Sequence, residues 1–208
     1  LAVIDSMIRA ADVQPGDLVV EIGPGLGILT TALAGEGSDV LAMELDKKLA
    51  LYVEAEILPS YENISLIKGD ALSSDTHHSM VEWLASMNGF TVSESKSKEY
   101  QHQIKELDGS YKLVANLPYQ ITSKAIRQFS ESHPRPSVMV IMIQKEVGQR
   151  ITAEPGKMSL LSLSVQVYAK PEYIQTVQRT SFFPSPKVDS AVVKLDFSQP
   201  HPDFNKLT

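Results

Sequence analysis

Cysteine is absent from the 208 residues, which excludes disulfides and every cysteine-ligated zinc or iron–sulfur site and fits a reducing compartment. Long apolar runs are also missing; none approaches the roughly 18 residues that a membrane span needs. The opening Leu1-Ala2-Val3-Ile4-Asp5 has neither a basic stretch nor a cleavage site, so no signal peptide is expected and a cytoplasmic location is. Positive charge is in deficit: 19 Lys+Arg face 25 Asp+Glu, a formal net charge of −6. That balance argues against a uniformly basic nucleic-acid binder, although the distribution of charge matters more than its sum. Residues 124–157 are locally basic, with Lys124, Arg127, Arg135, Lys145, Arg150 and Lys157 against Glu131, Glu146 and Glu154. The same stretch also suits an ordinary solvated helix face.

Hydrophobic residues make up 43% of the chain, enough for a packed core, and no internal repeat breaks it into modules. Short apolar runs at Leu18–Ile22, Asp39–Glu44, Ile64–Ile67, Tyr111–Ala115 and Val138–Ile143 read as strands buried on both faces. Between them lie stretches of helical periodicity at Leu26–Ala34, Lys47–Leu58 and Ser123–Ser132, and one precedes them at Val3–Ala11. Leu161–Ala169 and Ala191–Phe197 read as late β segments. The alternation followed by a hairpin predicts an α/β fold: a doubly wound, mostly parallel sheet with an antiparallel C-terminal edge. Residues 73–108 interrupt the rhythm, with one helix expected at Met80–Met87 and a polar surface excursion at Ser93–Glu99.

The first strand runs into Glu21-Ile22-Gly23-Pro24-Gly25-Leu26-Gly27 and then a helix. Glycines there keep side chains from blocking a ligand's approach to the backbone, and the helix start offers free N–H groups. The third glycine comes one residue too early for the dinucleotide fingerprint, and no lysine or arginine lies near the loop, which disfavours a nicotinamide dehydrogenase. The next two strands end in Glu44-Leu45 and in Gly69-Asp70-Ala71. Ligands of open α/β sheets sit at the carboxyl ends of the strands. Glu44 can hold ribose hydroxyls there, and Asp70 can accept from an adenine amine. Single acids after strands also serve as helix caps, but three in series favour a nucleoside without phosphates. S-adenosylmethionine, an adenosine bearing a sulfonium cation, fits that field.

The fourth strand ends in Asn116-Leu117-Pro118-Tyr119. The lone pair of an aromatic amine is delocalised into its ring. Acceptors on both N–H bonds, the Asn116 side-chain oxygen and the Leu117 carbonyl, would draw the nitrogen towards sp³. Pro118 removes a competing donor, and Tyr119 can stack on an extruded base. By itself this tetrapeptide more often marks a strand end with a proline turn and a core tyrosine; its place one strand–helix unit after Asp70 favours chemistry. Later, Phe182-Phe183-Pro184-Ser185-Pro186-Lys187-Val188-Asp189-Ser190 forms a stiff aromatic segment, with Lys187 able to meet a phosphate. Either phenylalanine could instead be core.

These motifs, with Gln144-Lys145-Glu146-Val147, Arg150 and Phe182 through Val193, occur in an order that resembles the ribosomal RNA adenine N6-dimethyltransferase family. The resemblance implies a Rossmann-like class I methyltransferase domain over 1–198, with S-adenosylmethionine as donor. Gly23, Gly25, Glu21, Glu44, Leu45, Asp70, Ala71 and Asn116 would hold the donor; Asn116, Leu117, Tyr119 and Phe182 would frame the adenine. The implied reaction dimethylates two adjacent adenosines near the 3′ end of small-subunit rRNA within a pre-ribosomal particle, by a monomeric enzyme without metal or membrane. The sister group acting on large-subunit rRNA is the alternative, which Pro186–Val193 resembles less. Two further alternatives are a methyltransferase for another planar amine, such as a protein glutamine, and a non-catalytic ribosome-assembly module. The family's basic N-terminal segment has no counterpart before Leu1. Residues 199–208 read as the start of a truncated helical region.

Overall fold

The computed structural model describes residues 2–93, 97–182 and 185–198. Its strands are β1 (Leu18–Ile22), β2 (Asp39–Glu44), β3 (Ile64–Lys68), β4 (Lys112–Asn116), β5 (Val138–Gln144), β6 (Lys170–Val177) and β7 (Ser190–Asp196). They form one sheet in the order β3-β2-β1-β4-β5-β7-β6. The first five are parallel, and β7 runs antiparallel to both β5 and β6. The order reverses between β1 and β4. An open sheet leaves a crevice at such a switch point, outside the carboxyl ends of its strands.

Strand alternation sends neighbouring residues into two cores. Val20, Ile22, Leu41, Met43, Leu113 and Ala115 join one face; Val19, Val40, Val114, Val140 and Val192 join the other. The second face is covered by α1 (Ala2–Ala11), whose Met7, Ile8 and Ala11 are buried, and by α2 (Ile28–Gly35). The first face is covered by α4 (Ser74–Met87), α5 (Lys98–Glu106) and α6 (Thr122–Glu131). Two short helices, α7 (Lys145–Ile151) and α8 (Leu160–Gln166), lie before the C-terminal hairpin.

Three differences from the sequence reading have physical causes. The helix expected over Lys47–Leu58 is α-helical only as α3 (Lys47–Tyr52); it widens into a π turn at Val53–Ile57 and tightens to 3₁₀ at Leu58–Ser60. Leu161–Ala169 is mostly the helix α8 rather than a strand. Its alternating Leu161, Leu163, Val165 and Val167 mimic a period of two, yet its buried residues are Ser162, Val165 and Gln166, at helical spacing. Gln166 Nε2 donates to the Ile151 and Ala153 carbonyls, both at 3.0 Å, and Ser159 and Ser162 form a capping box. The outer partner of β7 in the hairpin is therefore β6, a half-exposed edge strand carrying Pro171 and Glu172.

The stretch 73–108 is the crossover from β3 to β4. Met80, Val81, Leu84 and Ala85 of α4 and Tyr100 and Ile104 of α5 are buried in the core. Ser97, expected within a polar excursion, caps α5 by accepting from Tyr100 N. Residues 94–96, Phe183 and residues 199–208 lie outside the described residues. Among the described residues, no helix is long and apolar enough to cross a membrane.

Candidate active site

The glycine loop leaves β1 with Gly23, Gly25 and Gly27 all in the left-handed region, at φ 70°, 59° and 76°. That backbone strains any residue with a side chain. Gly27 has a second reason: a Cβ there would sit 2.0 Å from Ile57 Cδ1, so the π turn after α3 packs directly on the loop. At Gly25 a Cβ would meet nothing within 4 Å, so that part of the loop faces open space. Gly23 packs instead against the Asn116–Tyr119 turn: its Cβ position lies 3.9 Å from Pro118 Cδ. The loop after β1 and the turn after β4 thus meet across the switch point.

The three acids occupy successive strand ends. Glu44, buried, closes β2; one carboxylate oxygen accepts from Gly25 N at 3.1 Å and the other from Asp46 N at 2.8 Å. It ties the glycine loop to the start of α3, and each oxygen keeps a second lone pair for a ligand hydroxyl. Asp70 follows β3, whose exit is joined to β2 by Gly69 N donating to the Glu44 carbonyl at 2.9 Å. Its side chain is exposed, accepts from Leu72 N at 2.9 Å, and borders a cavity of about 1270 Å³ shared with His77, His78, Tyr100, Lys124 and Arg127. Ala71 is buried, whereas Leu45 is 68% exposed beside Glu44. Open apolar surface at that position suits contact with a planar ring.

Glu21 differs from the charged acid that its sequence position suggests. It is 1% exposed on the α2 side of the sheet, and its Oε2 has no hydrogen-bond partner among the described residues. Burial pushes its pKa up to about 8; Thr30 opposes the rise without a well-formed hydrogen bond, and the charge of Glu44 adds to it. Near neutral pH the side chain is therefore mostly protonated. A cation brought beside it would favour the ionised form.

At the end of β4, Asn116 is exposed between buried Ala115 and buried Leu117. Leu117 N donates to the Met142 carbonyl of β5 at 3.1 Å, which fixes the backbone of the corner. Tyr119 is half-buried, and its hydroxyl lies 2.8 Å from Ser190 Oγ at the start of β7. Phe182, at the end of a 3₁₀ turn over Arg179–Ser181, packs partly against the apolar face that includes Val177 and Val192. Glu21, Gly23, Gly25, Glu44, Leu45, Asp70 and Ala71 thus stand at or just after the ends of three adjacent strands, with Asn116, Leu117 and Tyr119 on the fourth; the cavity at Asp70 is lined by none of the others, and Phe182 packs towards the face covered by α1 and α2. The sequence reading missed Ser190 and Thr30, each a small hydroxyl in an apolar stretch; a polar residue inside a buried run was the available signal.

A family model described as ribosomal RNA adenine dimethylase matches residues 2–208. The chain belongs to that family. Among curated relatives, ribosomal RNA small subunit methyltransferase A of Dehalococcoides mccartyi is 39% identical over 197 residues, covering 95% of this chain and 59% of the relative. A solved dimethyladenosine transferase from Plasmodium falciparum is 30% identical with a TM-score of 0.70, covering 94% of this chain and 61% of that one. The structure of 23S rRNA methyltransferase ErmE is 26% identical with a TM-score of 0.71, covering 96% and 69% respectively. This member of the adenine dimethylase family spans about three-fifths of the length of its curated relatives.

Proposed function

We propose that the protein transfers methyl groups from S-adenosylmethionine to N6 of two adjacent adenosines near the 3′ end of small-subunit rRNA, giving N6,N6-dimethyladenosine. The observation that supports this reading is the approach of Gly23 to Pro118, within van der Waals range, which sets the glycine loop after β1 beside the Asn116–Tyr119 corner. The small-subunit target is supported by the names of the curated relatives. The large-subunit reading has the resemblance to ErmE in its favour, at lower identity.

The donor's chemistry fits the residues present. Open glycine backbone offers room and N–H groups, no lysine or arginine lies between Ala10 and Asp46 to favour a phosphate, and the Glu21 carboxyl, whose Oε2 has no partner among the described residues, would ionise beside a cation. When bound, S-adenosylmethionine supplies an electrophilic methyl carbon whose bonding pair stays with sulfur. Glu44 would hold the ribose hydroxyls, Asp70 the adenine amine, and Leu45 and Ala71 the faces of the ring. Asn116 Oδ1 and the Leu117 carbonyl accept the two N6 hydrogens of the target base and localise its lone pair. Tyr119 and Phe182 bracket that base. Once alkylated, the amine is acidic enough to lose its proton to water, so these residues need supply no general base.

The decisive assay incubates the protein with methyl-labelled donor and immature small subunits, then digests the RNA to nucleosides. Label in N6,N6-dimethyladenosine supports the reading; label confined to protein, or to large-subunit RNA in a parallel reaction, refutes it. The donor half has its own test. Glu44→Ala is expected to weaken donor binding about 100-fold by calorimetry, since charge-assisted hydrogen bonds contribute about 1.5–3 kcal/mol each. An affinity unchanged by that substitution would place the donor elsewhere.

A further inference from the structure

We infer that Ser190 is a positioning residue for the target base, acting through the hydroxyl of Tyr119. The inference rests on the proposed stacking of Tyr119 against adenine. Ser190 opens β7 in an otherwise apolar run, Ala191-Val192-Val193, and is 1% exposed. A hydroxyl buried at such a place costs stability unless it is bonded. Its partner is the Tyr119 hydroxyl, at 2.8 Å across 71 residues of sequence.

The anchor is rigid where the ring is not. Ser190 is paired with Gln144 on β5 and with Val177 on β6, so three strands fix its backbone. The adjacent Asp189 is held on both sides: its carbonyl accepts from Lys145 N at 3.0 Å, and its carboxylate accepts from Arg179 N at 3.1 Å. Tyr119 instead sits in the turn between β4 and α6, closed by Ile121 N donating to the Pro118 carbonyl at 3.1 Å. A tyrosine there has two free side-chain torsions. The bond to Ser190 removes that freedom and sets the plane of the ring. A stacked base takes its tilt from that plane, and the tilt decides whether its amine points along the line of methyl transfer. Because the Tyr119 hydroxyl is engaged with Ser190, the ring takes part by orientation.

The test combines turnover with a direct view of the ring. Ser190→Ala, Tyr119→Phe, their combination and Ser190→Thr are assayed on immature small subunits, with KM for the donor measured separately. Each single removal is expected to lower kcat about five-fold, the worth of one ordinary hydrogen bond, with donor KM nearly unchanged; the thermal midpoint should hold in Ser190→Ala and fall in Tyr119→Phe, which leaves the buried Ser190 hydroxyl unpaired. The double variant should lose the same five-fold, and Ser190→Thr should restore most of it. Single losses that multiply, or a Ser190→Ala enzyme with full kcat, would overturn the inference. Carbon-13 tyrosine NMR supplies a readout independent of turnover: Tyr119 ring signals should broaden or average in Ser190→Ala. Unchanged ring signals would overturn it as well. If the unsubstituted protein forms no methylated adenine, the functional reading fails instead, while the NMR arm still decides whether Ser190 holds the ring.

Discussion

Asn116→Ala is expected to bind S-adenosylmethionine within about tenfold of the unsubstituted protein and to transfer methyl groups about 100- to 1,000-fold more slowly, the usual cost of deleting one preorganised hydrogen-bonding group aimed at a reacting centre. The expectation follows from how the corner is built. The backbone on both sides of Asn116 is fixed by β4–β5 pairing and by Leu117 N donating to the Met142 carbonyl. The Asn116 side chain is exposed and has no hydrogen bond to a described residue, so truncating it leaves no buried group unpaired. What is lost is an acceptor that matters most when the amine becomes pyramidal, and such an interaction lowers kcat more than it weakens binding. Calorimetry for the donor and single-turnover rates for RNA separate the two effects. Equal losses in both would assign Asn116 to the donor alone.

The second large effect concerns Glu21. Its pKa is pushed up to about 8 by burial, against 4.5 for an ordinary glutamate. Below about pH 4.5 the folded and unfolded chains both carry the proton, and this group gives no pH dependence. As pH rises from there towards 8, the unfolded chain ionises first, so the stability contributed by a neutral buried Glu21 is progressively lost. Above about 8 the folded state ionises too, and the loss levels off. A shift of this size corresponds to an upper bound of roughly 5 kcal/mol. Glu21→Gln keeps the shape and removes the titration. Urea unfolding is expected to show the variant gaining several kcal/mol over its parent between about pH 5 and pH 8.5. Parallel stability profiles would mean that Glu21 is solvated and ionised. If the cationic donor lies beside this carboxyl, its binding should release a fraction of a proton near neutral pH, measurable by calorimetry in buffers of different ionisation enthalpy.

The sequence revealed most clearly what burial on both faces enforces. β1, β2 and β5 are mostly apolar runs because both faces of the sheet are covered, and the acids at Glu21, Glu44 and Asp70 stand out at or near the ends of such strands. β6 was hidden because an edge strand is half solvated; Lys170, Pro171 and Glu172 carry no two-residue pattern. α8 was misread because its inward face is polar, with Ser162 and Gln166 turned towards the carbonyls of the preceding segment. α5 offers only Tyr100 and Ile104 as buried anchors in nine residues, a faint amphipathic signal. In the site, residue types at strand ends were legible, while relations between distant segments were not. The Tyr119–Ser190 bond joins β4 to β7, and the protonation of Glu21 depends on its burial beside α2. Neither follows from local spacing. The close approach of Gly23 to Pro118 likewise needed the fold, since it arises from the switch between β1 and β4.

The proposed donor lies across the tips of β1, β2 and β3, with its reactive end towards Asn116. A crystal structure with S-adenosylhomocysteine tests this placement most directly. The account predicts ribose hydroxyls on Glu44, the adenine edge at Asp70, and the sulfur facing the Asn116–Tyr119 corner. A ligand seated away from these strand ends, or one that leaves Glu44 and Asp70 in separate surroundings, would contradict it.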